Sequence, residues 1–166
     1  MIERPASFGS APIGIALATF LLLPPAVADA GEETAIEWRE ALVTVEAELR
    51  EVEGHAGHAV GLAQQRGFAF YDDGEVATVR AWLTFVRSAG QTAYQGYAIY
   101  TFPDQTTKIG RFTGSGDPDG PQEGTFTIEG GTGRYTEVTG EGSFAGHAFP
   151  PHGDIFLDVS GTYSQR

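Results

Sequence analysis

Four histidines, four strand-borne carboxylates and a set of aromatic rings are the side chains of this 166-residue chain whose types and spacing suit chemistry. His55 and His58 form an H-x-x-H pair, and His147 and His152 flank Phe149-Pro150-Pro151, with Asp154 close behind. Imidazole nitrogens joined by a carboxylate oxygen can hold zinc or copper. An i, i+3 pair shares a face only on a helix, however, and this one sits in the glycine-bearing stretch Glu53-Gly54-His55-Ala56-Gly57-His58. In a strand the same spacing sends the rings to opposite faces. Solvated loop or rim histidines are the simpler account, so no metal is expected.

Glu129, Glu141, Asp154 and Asp158 are the candidate catalytic carboxylates, lying in or beside predicted strands. Two of them turned into an apolar lumen would raise the pKa of at least one and make it a general acid. The plainer arrangement puts them on an outer face, alternating with Ile128, Ile155, Leu157 and Val159. Among the aromatics, Trp82, Tyr97, Tyr100, Phe126, Tyr135 and Phe144 are the candidate ligand-binding residues. In a barrel with an open centre, tyrosine hydroxyls would orient a bound molecule by hydrogen bonds. In a filled one the same rings are simply core, and both readings stand at this point. Gly114-Ser115-Gly116 precedes no helix and has no lysine placed as in a phosphate-binding loop. Ser143 sits in G-E-G-S-F, not in a nucleophile elbow. No cofactor is expected.

The elements that would position these groups read as short strands broken by turns. Gly31–Glu53 is mixed: Glu32, Glu33, Glu37 and Glu40 suit the first turns of a helix, whereas alternation from Leu42 to Val52 is that of a strand. The expectation is a first strand over 42–52 after a short helical lead-in. Strands follow over 59–66, 68–71, 75–87, 92–102, 107–113, 124–129, 134–147 and 154–163. Asp72-Asp73-Gly74 is a hairpin turn, and Gly114–Gly120 reads as a loop. Within 75–87, Ala77, Val79, Ala81, Leu83 and Phe85 share one face. Strands at this spacing build a sandwich or a barrel.

Composition bounds the rest. Ala11–Leu23 is an apolar run ended by Pro24-Pro25, and Ala26-Val27-Ala28 and Ala28-Asp29-Ala30 offer small residues at cleavage positions, as in a secretory signal peptide. The run is shorter than a bilayer span requires. Residues 1–30 are therefore expected to be a signal peptide and 31–166 one β domain, exported to the periplasm or outside the cell, with no stable membrane anchor after processing. The chain has no cysteine, which removes disulfides and thiolate chemistry, and its net charge of −12 argues against nucleic acid or anionic membrane partners.

The run Gly130-Gly131-Thr132-Gly133-Arg134-Tyr135, followed by Val138-Thr139-Gly140-Glu141-Gly142-Ser143-Phe144, resembles the hairpin shared by the allene oxide cyclase and dirigent families, whose barrel is calycin-like. Gly96-Tyr97-Ala98-Ile99-Tyr100-Thr101-Phe102 with Asp104 and Thr106-Thr107 is similar to a strand-turn of bacterial exported relatives, and Asp73-Gly74-Glu75-Val76-Ala77 and Asp158-Val159-Ser160-Gly161-Thr162-Tyr163 also fit. The resemblance implies a single all-β antiparallel barrel of about eight strands. It does not carry the reaction with it. In plant allene oxide cyclases the reaction depends on a water held partly by asparagines, beside a glutamate and a cysteine, and this chain has neither asparagine nor cysteine. Dirigent proteins use aspartates and arginines at the barrel mouth; Asp154, Asp158, Arg80 and Arg111 are available, but no local motif assigns them. The leading expectation is an exported, non-enzymatic barrel that binds a small apolar or aromatic molecule. The alternatives are an isomerase or cyclase using the lumen as a mould, and a trimeric interaction module.

Overall fold

Alternation of more and less buried residues runs through much of each long segment, because each strand turns one face to a shared interior. The computed structural model describes residues 33–151 and 153–165, so the expected signal peptide and His152 lie outside the described residues. Eight antiparallel strands form a closed barrel in chain order: β1 (Thr34–Glu51), β2 (Ala59–Tyr71), β3 (Val76–Ser88), β4 (Gln91–Thr101), β5 (Thr107–Gly116), β6 (Pro121–Gly131), β7 (Val138–Phe149) and β8 (Asp154–Gln165). A single 3-10 turn, Gly133–Tyr135, lies between β6 and β7.

The expected helical lead-in is strand instead. β1 begins at Thr34, and Ile36, Trp38, Glu40 and Leu42 follow the period of two. Its backbone is taken up on both sides, by β2 with Trp38 opposite Tyr71 and by β8 with Trp38 opposite Val159. Pairing on two sides overrides the local helical preference of the glutamates. A register shift between Thr44 and Glu46 then changes which residues face inward, so Ala47 lines the interior while Val43 and Val45 are exposed.

Other boundaries differ from expectation. The strand expected from Arg134 begins only at Val138, because Gly133–Tyr135 is a 3-10 turn. β5 continues through Gly114 to Gly116, because Thr113, Gly114 and Ser115 pair with Thr125, Gly124 and Glu123 of β6. The runs 59–66 and 68–71 are one strand, joined at Gly67, where the β1 backbone passes so close that a Cβ would strike the Ala41 carbonyl.

The two ends of the barrel differ. At one end Phe102 is 1% exposed, stacks on Tyr135 (5.0 Å) and packs at a tilt against Tyr71 (5.5 Å). Arg134 lies over the Phe102 ring at 4.5 Å and pairs with Glu75, which seals that end. The other end carries the β1–β2, β3–β4, β5–β6 and β7–β8 loops. On the outside, Val43, Val45, Val60, Leu62, Phe68, Phe70, Trp82 and Tyr97 form an exposed apolar surface over β1 to β4.

Replacing Gly67 with alanine drives a methyl group into backbone that cannot yield. The expected loss is about 1–3 kcal/mol of unfolding free energy, read by urea denaturation.

Candidate functional site

The interior is not filled. A cavity of about 370 Å³, within the range of small-molecule sites, runs from the middle of the barrel to the loops at its open end. Pro118, Asp119, Pro151 and Gly153 border its mouth. Below them Tyr94, Phe112 and Phe144 form an aromatic collar, with ring centroids 6.3–6.5 Å apart. Phe126 lies deeper; a Cβ on Gly142 or Gly161 would meet its ring, so these two glycines leave it room.

The floor holds the chemistry. Trp38, Glu40, Tyr100 and Lys108 all line the cavity and are almost fully buried. Inward positions of β1, β4 and β5 bring them together. Trp38 Nε1–H donates to Glu40 Oε1 at 2.7 Å, and Tyr100 O–H donates to the same oxygen at 2.6 Å. Lys108 Nζ donates to the Tyr71 hydroxyl at 2.7 Å and stands over the rings of Trp38 (3.9 Å), Tyr100 (4.3 Å) and Tyr71 (4.9 Å). Two aromatic hydroxyls, an indole, a carboxyl and an amine thus meet in one apolar pocket.

Burial dominates their titration. It holds the Glu40 carboxyl above the ordinary carboxylate range, although the two donated hydrogen bonds and the Lys108 charge pull it back. It pulls Lys108 down to about 7, against the attraction of Glu40. The three ring faces also favour the ammonium form. Burial first and Glu40 second push the Tyr71 and Tyr100 phenols up, so both are neutral donors at physiological pH.

Nearer the mouth, Arg87 and Thr92 are cross-strand partners on β3 and β4 and both border the cavity. Arg87 Nε and Thr92 Oγ1 are buried there with no partner among the described residues. Gln65 donates to Thr44 Oγ1 at 3.3 Å, and Thr44 in turn donates to the Gly153 carbonyl at 3.1 Å, which ties the β7–β8 loop to the barrel.

The sequence-derived site residues are divided between inside and outside. Tyr100, Phe126 and Phe144 line the cavity. Tyr135 packs in the sealed end against Phe102. Trp82 and Tyr97 pair across β3 and β4 on the outer surface and do not reach the lumen. Glu129, Glu141 and Asp158 are exposed on the outside, Glu129 in an ion pair with Arg111 at 3.0 Å. Asp154 sits at the rim, accepting from the Thr44 amide at 3.2 Å. Arg80 also faces outward. His55 and His58 lie in the exposed β1–β2 loop with rings 5.8 Å apart, and His147 packs on Phe149 outside. Among the described residues no three histidine, aspartate or glutamate side chains converge.

Sequence reasoning missed Trp38, Glu40 and Lys108. The first two were assigned to a helical lead-in, and the third lay unremarked in a predicted strand. A usable signal existed: Lys108 is the sole lysine of the chain and begins the alternation Lys108, Gly110, Phe112 on one face of β5.

With this geometry established, solved structures give the fold. The barrel is similar to that of a pterocarpan synthase dirigent protein, with a TM-score of 0.52 at 10% identity over 90% of this chain and 100% of the other. A nonspecific heme-binding cyclase that catalyses a cycloaddition during neoabyssomicin biosynthesis overlaps at a TM-score of 0.44 and 14% identity, over 81% of this chain and 65% of its own. No protein-family model matches the sequence, and no curated protein matches it. The fold is the allene oxide cyclase/dirigent-like barrel.

The floor makes stability depend on pH. Lys108 falls from its unfolded value near ~10.4 to about 7 in the folded barrel, so the unfolded chain binds the extra proton between those values. Stability should rise with pH from about 7 toward 9. Glu40 acts in the opposite sense: its stabilisation is present at acid pH and is lost as pH rises through its elevated folded value. In Lys108→Met the rise above neutrality should disappear, as measured by urea unfolding at a series of pH values.

Proposed function

We propose that the barrel is a receptacle for one small, largely aromatic or apolar molecule, bound in the lumen with a polar atom against the Glu40–Tyr100–Lys108 floor. The observation that carries this reading is a cavity of about 370 Å³ walled by rings with ionisable groups gathered at its floor. Arg87 Nε and Thr92 Oγ1 offer a second polar anchor near the mouth. The ligand class is therefore a compact ring or short chain with a hydrogen-bonding atom at one or both ends. Its site of action would be outside the cytoplasm, following the export expected for residues 1–30.

A catalytic form of this reading has its own support in Glu40. Burying a carboxyl costs several kcal/mol, and a purely apolar carrier would not need one. With burial holding its carboxyl above the ordinary carboxylate range beside the cavity, Glu40 is placed to give a proton to a bound atom and take one back from a neighbouring carbon, which is the work of an isomerase or cyclase. The exposed apolar surface of β1 to β4 also suits a second copy of the chain. A monomeric elution profile at high concentration would remove that reading.

Trp38 and Trp82 are the two tryptophans, one lumenal and one external, so Trp82→Phe leaves Trp38 as the reporter. Titration of that variant with 1-naphthol should change its emission saturably. Adding Ala98→Phe, which fills the lumen, should weaken binding about tenfold or more. Binding that ignores the Ala98 substitution would end the lumenal reading. In the catalytic form, Glu40→Gln abolishes deuterium exchange of an enolisable aryl ketone in heavy water while far-UV circular dichroism shows the barrel still folded.

A further inference from the structure

We propose that Lys108 is a covalent capture site for carbonyl compounds, forming a reversible imine with an aldehyde or unhindered ketone that enters the barrel. This deepens the receptacle reading and rests on it, since it names the chemical class of the occupant.

The argument begins with placement. A buried amine is expensive, and lysine is rarely found fully enclosed unless paired. This chain has one lysine, and it is 2% exposed at the floor of the cavity. It is not neutralised by an ion pair: no carboxylate oxygen of the described residues lies within salt-bridge distance of Nζ. Its polar partner is the Tyr71 hydroxyl at 2.7 Å, and its other neighbours are ring faces. A hydroxyl partner can accept from an ammonium or donate to a free amine, so Nζ can shed its proton without losing its hydrogen bond. The free amine is the form with a lone pair, and with a pKa of about 7 a large fraction is in that form at physiological pH.

Glu40 supplies the other requirement. It shares Trp38 and Tyr100 as neighbours with Lys108, and both groups border the same cavity. In the addition step the Nζ lone pair forms a bond to the carbonyl carbon, and the carbon–oxygen π pair moves to oxygen. A proton passes from nitrogen to that oxygen, giving a carbinolamine. The Glu40 carboxyl then protonates the hydroxyl, which departs as water while the nitrogen lone pair closes the C=N bond. The iminium N–H returns its proton to the Glu40 carboxylate. The sum is amine plus carbonyl giving imine plus one water, with no oxidant or reductant. A wall of rings retards hydrolysis of the product by limiting access of water.

The test uses the full-length chain with benzaldehyde as probe and borohydride to fix any imine. The only other primary amine is the chain's own N-terminus, which acts as an internal reference. The expected result is one benzyl group per chain, located by peptide mapping on Lys108 in preference to the terminal amine, at a rate that rises with pH through about 7. Glu40→Gln should slow trapping on the order of 100-fold. Binding of benzyl alcohol, which fills the same space but has no carbonyl, is followed in parallel by Trp38 emission in a Trp82→Phe background, and far-UV circular dichroism with urea unfolding shows that Glu40→Gln is folded. Saturable benzyl alcohol binding with benzaldehyde fixed only at the terminus overturns the imine and leaves the receptacle standing. Failure of both overturns both.

Discussion

The barrel exists because β1 carries two hydrogen-bonded ladders at once, one to β2 and one to β8. Everything in the lumen is referred to that closure. Trp38 stands at the join, opposite Tyr71 on one side and Val159 on the other, and its indole reaches inward to within 5.2–5.9 Å of the Tyr71, Tyr100 and Phe126 rings. Its N–H fixes one oxygen of Glu40. Were β1 to leave β8, the indole would lose its seat, and the carboxyl would lose a donor and its shield from water. Closure and chemistry are therefore one event in this molecule. Among the described residues no sheet edge is left for another strand to pair with.

Polarity inside the barrel is arranged by depth. The sealed end holds the Tyr71, Phe102 and Tyr135 rings under the Arg134–Glu75 pair. Above it comes the layer of Glu40, Tyr100, Tyr71 and Lys108, then the collar of Tyr94, Phe112 and Phe144, then the unpartnered Arg87 and Thr92. A molecule entering from the loops meets hydrogen-bonding groups twice, with a dry ring-lined stretch between. Such an interior selects by length and by the spacing of polar atoms as well as by hydrophobicity.

Much of the architecture was legible in the residues, and the reason is periodicity. The alternation of Ala77, Val79 and Ala81 and the Asp72-Asp73-Gly74 turn each act locally, and each is found where expected; the glycine-rich connection after Gly130 also joins two paired strands, though through a 3-10 turn at Gly133–Tyr135. What failed was whatever depends on distant partners. Glu37 and Glu40 look helical until β2 and β8 supply their backbone bonds. Gly114 looks like a loop until Gly124 pairs with it. Position inside or outside was harder still. Trp82 and Tyr97 share ring chemistry with Tyr100 and Phe126, and only strand register assigns them to opposite sides of the wall. The candidate carboxylates Glu129, Glu141, Asp154 and Asp158 lie on β6, β7 and β8, whereas the buried one sits between Trp38 and Leu42 on β1, where a polar residue at an inward position is itself the signal.

Placing the sole lysine indoors also determines the character of the exterior. Every permanent cation left on the outer wall is a guanidinium, in an otherwise acidic chain. Guanidinium stays charged far into alkaline conditions, so the outer wall keeps its positive points wherever an ammonium would have lost them. The same feature leaves the outside free of ε-amines. Acylating reagents and amine cross-linkers would therefore find no lysine on the outer wall of the barrel.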